Sequence, residues 1–183
     1  MSEFPPASLR PLIQEVFELL KSRNETISVA ETAAGGLISA CLLSTPGASS
    51  IYKGGLTEDE TEEREKTNKV YTLESRLAYA GWTTANIEGY KGPTTTIVAE
   101  MADHVRQTLG STYTVSESGT AGPTGGTTRN RTPGYVAVAV STTHGTYKRE
   151  VEIGSADREK NMVAFAGEGL KLLRDVIVGR AVL

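Results

Sequence analysis

The stretch Thr26-Ile27-Ser28-Val29-Ala30-Glu31-Thr32-Ala33-Ala34-Gly35-Gly36-Leu37-Ile38-Ser39-Ala40-Cys41-Leu42-Leu43 runs a short β-branched segment into a double glycine and then into an apolar segment. Ile27 and Val29 suit a strand, and Gly35-Gly36 a turn. Leu37, Ile38, Cys41, Leu42 and Leu43 suit a buried helix that stops before Pro46-Gly47. Strand, glycine turn and helix in succession are the elementary unit of an α/β sheet.

The flanking sequence extends the same pattern. Upstream, Leu9, Leu12, Ile13, Val16, Phe17, Leu19 and Leu20 recur at helical spacing, with Ser8 as the expected N-cap. Downstream, 50–57 reads as a strand, 72–80 and 94–109 as helices, and Tyr113-Thr114-Val115 as a strand before a Gly-rich loop at 119–126. Val136, Val138 and Val140 alternate as a half-buried strand, and His144-Gly145 turns the chain into a returning strand with Tyr147, Val151 and Ile153. Leu170, Leu172, Leu173, Val176 and Ile177 form the apolar side of a closing helix, with Gly179 as its stop. The expected fold is α/β: a three-layer α/β/α single domain over residues 1–183, with a mixed sheet.

Composition narrows the function. The 183 residues are 38% hydrophobic and 22% charged, ordinary for a globular chain. A net charge of -3 is the wrong sign for duplex nucleic acid as a partner. No apolar run is long enough to span a membrane and no leader pattern is visible, which predicts a cytoplasmic protein. Cys41 is the single cysteine and reads as a small buried residue, and no cluster has metal-ligand spacing, so neither a metal nor another cofactor is expected. Segment 58–69 contains no apolar residue and carries six acids against three bases, so the remaining 16 acids and 16 bases balance. It reads as a polar excursion outside the core.

Two segments can carry chemistry. In Glu31-Thr32-Ala33-Ala34-Gly35-Gly36, backbone N–H groups at a helix start suit a phosphate or carboxylate and Thr32 adds a hydroxyl; a tight βα turn that merely packs helix on strand fits the residues equally well. Ser118-Gly119-Thr120-Ala121-Gly122-Pro123-Thr124-Gly125-Gly126 is rich in small residues and free N–H groups, as an anion nest or oxyanion cradle would be, and a plain surface loop is the competing reading. His104 and His144 are isolated. Trp82, Tyr71, Tyr79 and Tyr90 serve a core as well as a stacking site, and Asp157-Arg158 fits charge placement at a helix start.

Taken together, Ala30 to Gly36, Pro46-Gly47-Ala48-Ser49, Gly54-Gly55-Leu56-Thr57, Ser118 to Gly126 and Pro133-Gly134-Tyr135-Val136 resemble, in order, five motifs of the C-terminal domain of the CinA family, across about residues 9–178. That family includes nicotinamide mononucleotide deamidases. The resemblance implies hydrolysis of a carboxamide to acid and ammonia on a nucleotide or related small amide, without a cofactor, and it leaves a homo-oligomer open. The family's catalytic serine, tyrosine and lysine map to Thr32, Tyr71 and Arg76. Glu31, Gly35, Gly36, Ser118, Gly119, Thr120, Ala121, Gly122, Gly125 and Gly126 become the expected substrate-binding residues. Thr32 keeps a hydroxyl, whereas an arginine stays protonated and can hold an anion but not act as an ordinary base. A catalytically silent nucleotide-binding or scaffold member is therefore the alternative. Segment 58–69 displaces the Tyr71 motif and reads as an insertion beside the site.

Overall fold

The computed structural model describes residues 3–57 and 80–183. Helix α1 (Arg10–Arg23) is followed by β1 (Ile27–Glu31), α2 (Leu37–Leu43) and β2 (Tyr52–Thr57). After the undescribed stretch come α3 (Thr84–Glu88), α4 (Thr95–Leu109), β3 (Tyr113–Gly119), β4 (Tyr135–Thr142), β5 (Gly145–Glu152) and α5 (Arg158–Ile177). The expected excursion at 58–69, most of the expected helix at 72–80, and Tyr71 and Arg76 lie outside the described residues.

The strands form one mixed sheet in the order β2-β1-β3-β4-β5. The β1–β2 and β1–β3 pairs are parallel, and β3–β4 and β4–β5 are antiparallel. Residues that alternate along a strand face opposite sides, which sorts the sequence into two cores. On one face Ile27, Val29, Val115, Val136, Val138 and Val140 pack with α1, α2 and α5 through Phe17, Ile38, Phe165 and Leu170. On the other, Ala30, Ala137 and Ala139 are small, so α4 lies close to the sheet and fills the space with Val98, Met101, Ala102 and Val105. This is the expected three-layer arrangement. Trp82 is buried in the second core, tilted against Tyr90 with ring centroids 5.5 Å apart.

Helix α1 buries Ile13, Val16, Phe17 and Leu20, the stripe that its period predicts, and each such side chain removed from water contributes about 1.5–3 kcal/mol. Three expectations need correction. Ser8 does not cap α1: Leu9 occupies the N-cap position without a side-chain cap. Its N–H bonds Pro6 O, and Pro11 in the first turn has no N–H to be capped. Strand β4 is not half-buried but buried along its whole length, because helices cover both faces of the sheet. Ser118 and Gly119 belong to β3 rather than to the loop, because β4 pairs with them opposite Ala137 and Val136.

The topology decides where a ligand can go. From β1 the chain leaves through α2, on one face, to β2. It then returns past α4, on the other face, to β3 on the far side of β1. The carboxyl ends of the parallel neighbours β1 and β3 flank the point where the strand order reverses, which is where open α/β sheets leave a crevice.

Candidate active site at the ends of strands β1 and β3

Thr32 follows β1 directly and Thr120 follows β3, so the topology brings the two sequence-predicted segments to one end of the sheet. Glu31 and Glu117 are register partners on these strands, both fully buried and both on the α1/α2/α5 face. Each carboxylate holds a different part of the turn between β1 and α2. Glu31 Oε2 accepts from Ile38 N at 2.9 Å, while Oε1 accepts from Ser39 N at 3.0 Å and Ser39 Oγ at 2.8 Å. Glu117 Oε2 accepts from Ala34 N at 2.8 Å and Thr32 N at 3.2 Å, and Thr32 N also points at Glu117 O, 3.2 Å away.

Two of the N–H groups that the sequence offered to an external anion, those of Thr32 and Ala34, are thus occupied by the protein's own Glu117 carboxylate. Glu31 spends both oxygens inside the fold. The turn closes tightly around this pair. Gly35 has φ +65°, a left-handed conformation that favours glycine, and it packs against the flexible end of Met162 on α5, 2.7 Å from where a Cβ would stand. Gly36 adopts a left-handed conformation as well and leads into α2.

Thr32 itself is only 3% exposed, and its Oγ1 has no hydrogen-bond partner among the described residues. A buried hydroxyl normally has one, and leaving it without costs about 1–3 kcal/mol. This group is placed where it can engage something beyond the described residues. Cys41, below the same turn, is buried; desolvation, with Glu31 adding to it, pushes its thiol up to about 11. It is an inert core residue, as its sequence context suggests.

The second segment is open where the first is closed. Residues 123–129 are exposed, whereas Thr120, Ala121 and Gly122 are buried at the loop's root. Thr120 Oγ1 donates to Asn130 O at 3.0 Å and Gly126 N to Arg131 O at 2.8 Å, which folds the loop back on itself. Gly122 has φ +88°, and a Cβ would meet Ala156 O at 2.9 Å. Asn161 on α5 holds this root in place, Nδ2 donating to Ala121 O and to Ser155 O, each at 2.8 Å. Arg158, at the start of α5, donates to Gly122 O at 3.3 Å and brings a cation to the loop.

Gly125 and Gly126 belong to the exposed part of the loop, while Ser118 and Gly119 sit at the end of β3. Three residues therefore join the site that the sequence reading passed over: Glu117, Asn161 and, beyond mere charge placement, Arg158. Among the described residues, no three His, Cys, Asp or Glu side chains come together as a metal ion would require, and no helix is long and apolar enough to cross a membrane. A groove between α1 and α5, lined by Leu9, Leu12, Val163 and Lys171 among others, contains none of the sequence-predicted site residues.

The fold is an α/β domain in which a clamped hydroxyl-bearing turn and a glycine-rich loop meet at the end of the sheet where such folds place ligands. The particular family follows from comparison with known proteins. The profile of the CinA C-terminal domain matches residues 9–177, and the chain belongs to that family. It is 30% identical over 176 residues to a CinA-like protein of Shewanella sediminis, covering 96% of this chain and 38% of that protein. A CinA-like protein of Fervidobacterium nodosum is 30% identical over 154 residues, covering 82% of this chain and 35% of that protein. The chain thus spans little more than a third of the length of these curated relatives. In fold it is similar to the crystal structure of the competence/damage inducible protein CihA from Agrobacterium tumefaciens, with a TM-score of 0.80 and 22% identity over 94% of this chain and 97% of that one. A competence or damage-inducible protein from Enterobacter asburiae gives a TM-score of 0.78 at 21% identity, over 92% and 98%.

Proposed function

We propose that this chain is a CinA-like amidohydrolase acting on nicotinamide mononucleotide or a related small amide. The observation that carries the reading is the Thr32 hydroxyl: buried, without a partner among the described residues, and mounted on a turn that two carboxylates hold. In the proposed reaction Thr32 Oγ1 attacks the carboxamide carbon and gives up its proton. The tetrahedral intermediate expels ammonia, which takes a proton as the C–N bond breaks. Water then cleaves the acyl ester, regenerating the hydroxyl and releasing the acid.

Tyr71 passes the proton and Arg76 holds the phosphate or the developing oxyanion, roles carried over from the family pattern. The loop from Ser118 to Gly126 cradles the remaining oxygen or phosphate, with Gly35 and Gly36 shaping the turn. Arg158, which donates to Gly122 O, supplies a cation for an anion at the loop. Glu31 serves this site from behind, by anchoring the turn.

A second reading, a nucleotide-binding or scaffold protein without turnover, is favoured by the coverage of Thr32, which a substrate reaches only by displacing what covers it. The two readings separate on one assay. Purified protein incubated with nicotinamide mononucleotide releases ammonia on the first reading, and Thr32→Ala lowers that release by about 1,000-fold or more. No release at any pH from mildly acidic to mildly basic, combined with a ligand-induced rise in melting temperature, establishes the second.

A further inference from the structure

We propose that Glu117 is a positioning residue that sets the orientation of Thr32, an inference that rests on the amidohydrolase reading for its catalytic consequence but not for its geometry. Glu117 lies one residue before the Ser118-to-Gly126 motif and takes no part in the family resemblance. The sheet nevertheless brings it opposite Glu31, fully buried, at the base of the turn that carries Thr32. One oxygen, Oε2, gathers the N–H groups of residues 32 and 34, and the Glu117 carbonyl accepts from Thr32 N as well. Thr32 is therefore tied through its own backbone N–H to both the side chain and the main chain of a single residue.

The side chain of Thr32 has no comparable tether, since Oγ1 bonds to no described group. The backbone fixes the Cα–Cβ direction from which the hydroxyl projects and limits its rotamers, and Glu117 holds that backbone. Glu31 anchors the far side of the same turn, at Ile38 and Ser39, and cannot substitute. A nucleophile displaced by about 1 Å loses on the order of 100-fold in rate. Glu117→Asp retracts the acceptor by one C–C bond, roughly 1.5 Å. Glu117→Gln keeps an acceptor oxygen at full reach.

The test compares wild type with Glu117→Asp and Glu117→Gln in two measurements. Amide hydrogen exchange followed by NMR reads the clamp without reference to activity. Ala34 should exchange about tenfold faster or more in Glu117→Asp, and Thr32, still held by the Glu117 carbonyl, faster by a smaller factor, while Ile38 and Ser39, held by Glu31, stay protected. Steady-state hydrolysis of nicotinamide mononucleotide reads the consequence. In Glu117→Asp, kcat should fall roughly 100-fold with KM within about twofold of wild type, and in Glu117→Gln it should recover to within about tenfold. Unchanged exchange at Thr32 and Ala34 in both variants overturns the proposal, as does a Glu117→Asp protein with wild-type kcat. Where wild type releases no ammonia and the exchange still responds, the hydrolase reading fails and the hold of Glu117 on Thr32 stands. Should Glu117→Asp not fold, Glu117→Gln carries the same two measurements, with smaller shifts in the same direction.

Discussion

The turn after β1 and the loop after β3 end neighbouring parallel strands, yet they are built on opposite principles. The first is closed: Thr32, Ala33 and Ala34 are buried, and internal carboxylates take the N–H groups of Thr32, Ala34, Ile38 and Ser39. The second is open: its root is pinned by Thr120 and Asn161, and its span of small residues remains at the surface. On the proposed reading the closed element keeps the hydroxyl in place and the open one admits the ligand.

The largest expected effect comes from dismantling the closed half. Glu31→Ala strands the donors of Ile38 N, Ser39 N and Ser39 Oγ inside the fold. The expected cost is about 3–5 kcal/mol, a fall in melting temperature of roughly 10 °C for a domain of this size. A loss under about 1 kcal/mol would mean that the turn does not depend on its carboxylate. Opening the other half costs less. Asn161→Ala removes two bonds to the loop root, worth about 2 kcal/mol together, and should also raise KM while kcat changes little. An effect on kcat alone would erase the proposed division between the halves.

A third variant, remote from both, calibrates them. Burial opposes the charged form of Asp175, but hydrogen bonds from Arg174 and Arg149 outweigh it and hold the carboxyl below its ordinary 3.8. A depressed carboxyl stabilises the fold above its unfolded-state pKa, and that stabilisation is lost as pH falls through the folded-state value. Asp175→Asn should therefore lower the melting temperature by about 2–4 °C near neutral pH, for about 1 kcal/mol of partly exposed ion pairing. The gap between variant and wild type should close as pH falls through the folded-state value of Asp175, which lies below 3.8. A gap that persists there would assign the effect to packing.

How far the sequence revealed this arrangement depended on the kind of signal each part carries. The order of helices and strands was visible because apolar period and glycine punctuation are local properties, as at Ile27 to Leu43. The full burial of β4 was not, since Val136, Val138 and Val140 alternate with alanines, and only the close approach of α4 shows that small residues can also face a core. Both candidate segments were legible as motifs. Their meeting at the end of the sheet follows from strand order, which no local pattern contains.

The internal use of Glu31 and the entry of Glu117 and Asn161 were missed for a related reason. A carboxylate's partner is decided by register, here Glu31 opposite Glu117. A faint signal existed: Glu117 shares the strand parity of Val115, and Asn161 precedes Phe165 by one helical turn, so each is a polar residue in a core-facing position. Buried polar residues of that kind need partners and mark a place to look.

On the proposed reading, the carboxyl ends of β1 and β3 together form the ligand site. Hydrogen exchange of the wild-type chain with and without nicotinamide mononucleotide tests it most directly, because it locates the ligand whether or not turnover occurs. Protection at residues 31–39 and 118–126, with the α1–α5 groove unchanged, is the predicted result. Protection at that groove with neither strand-end segment affected would contradict it.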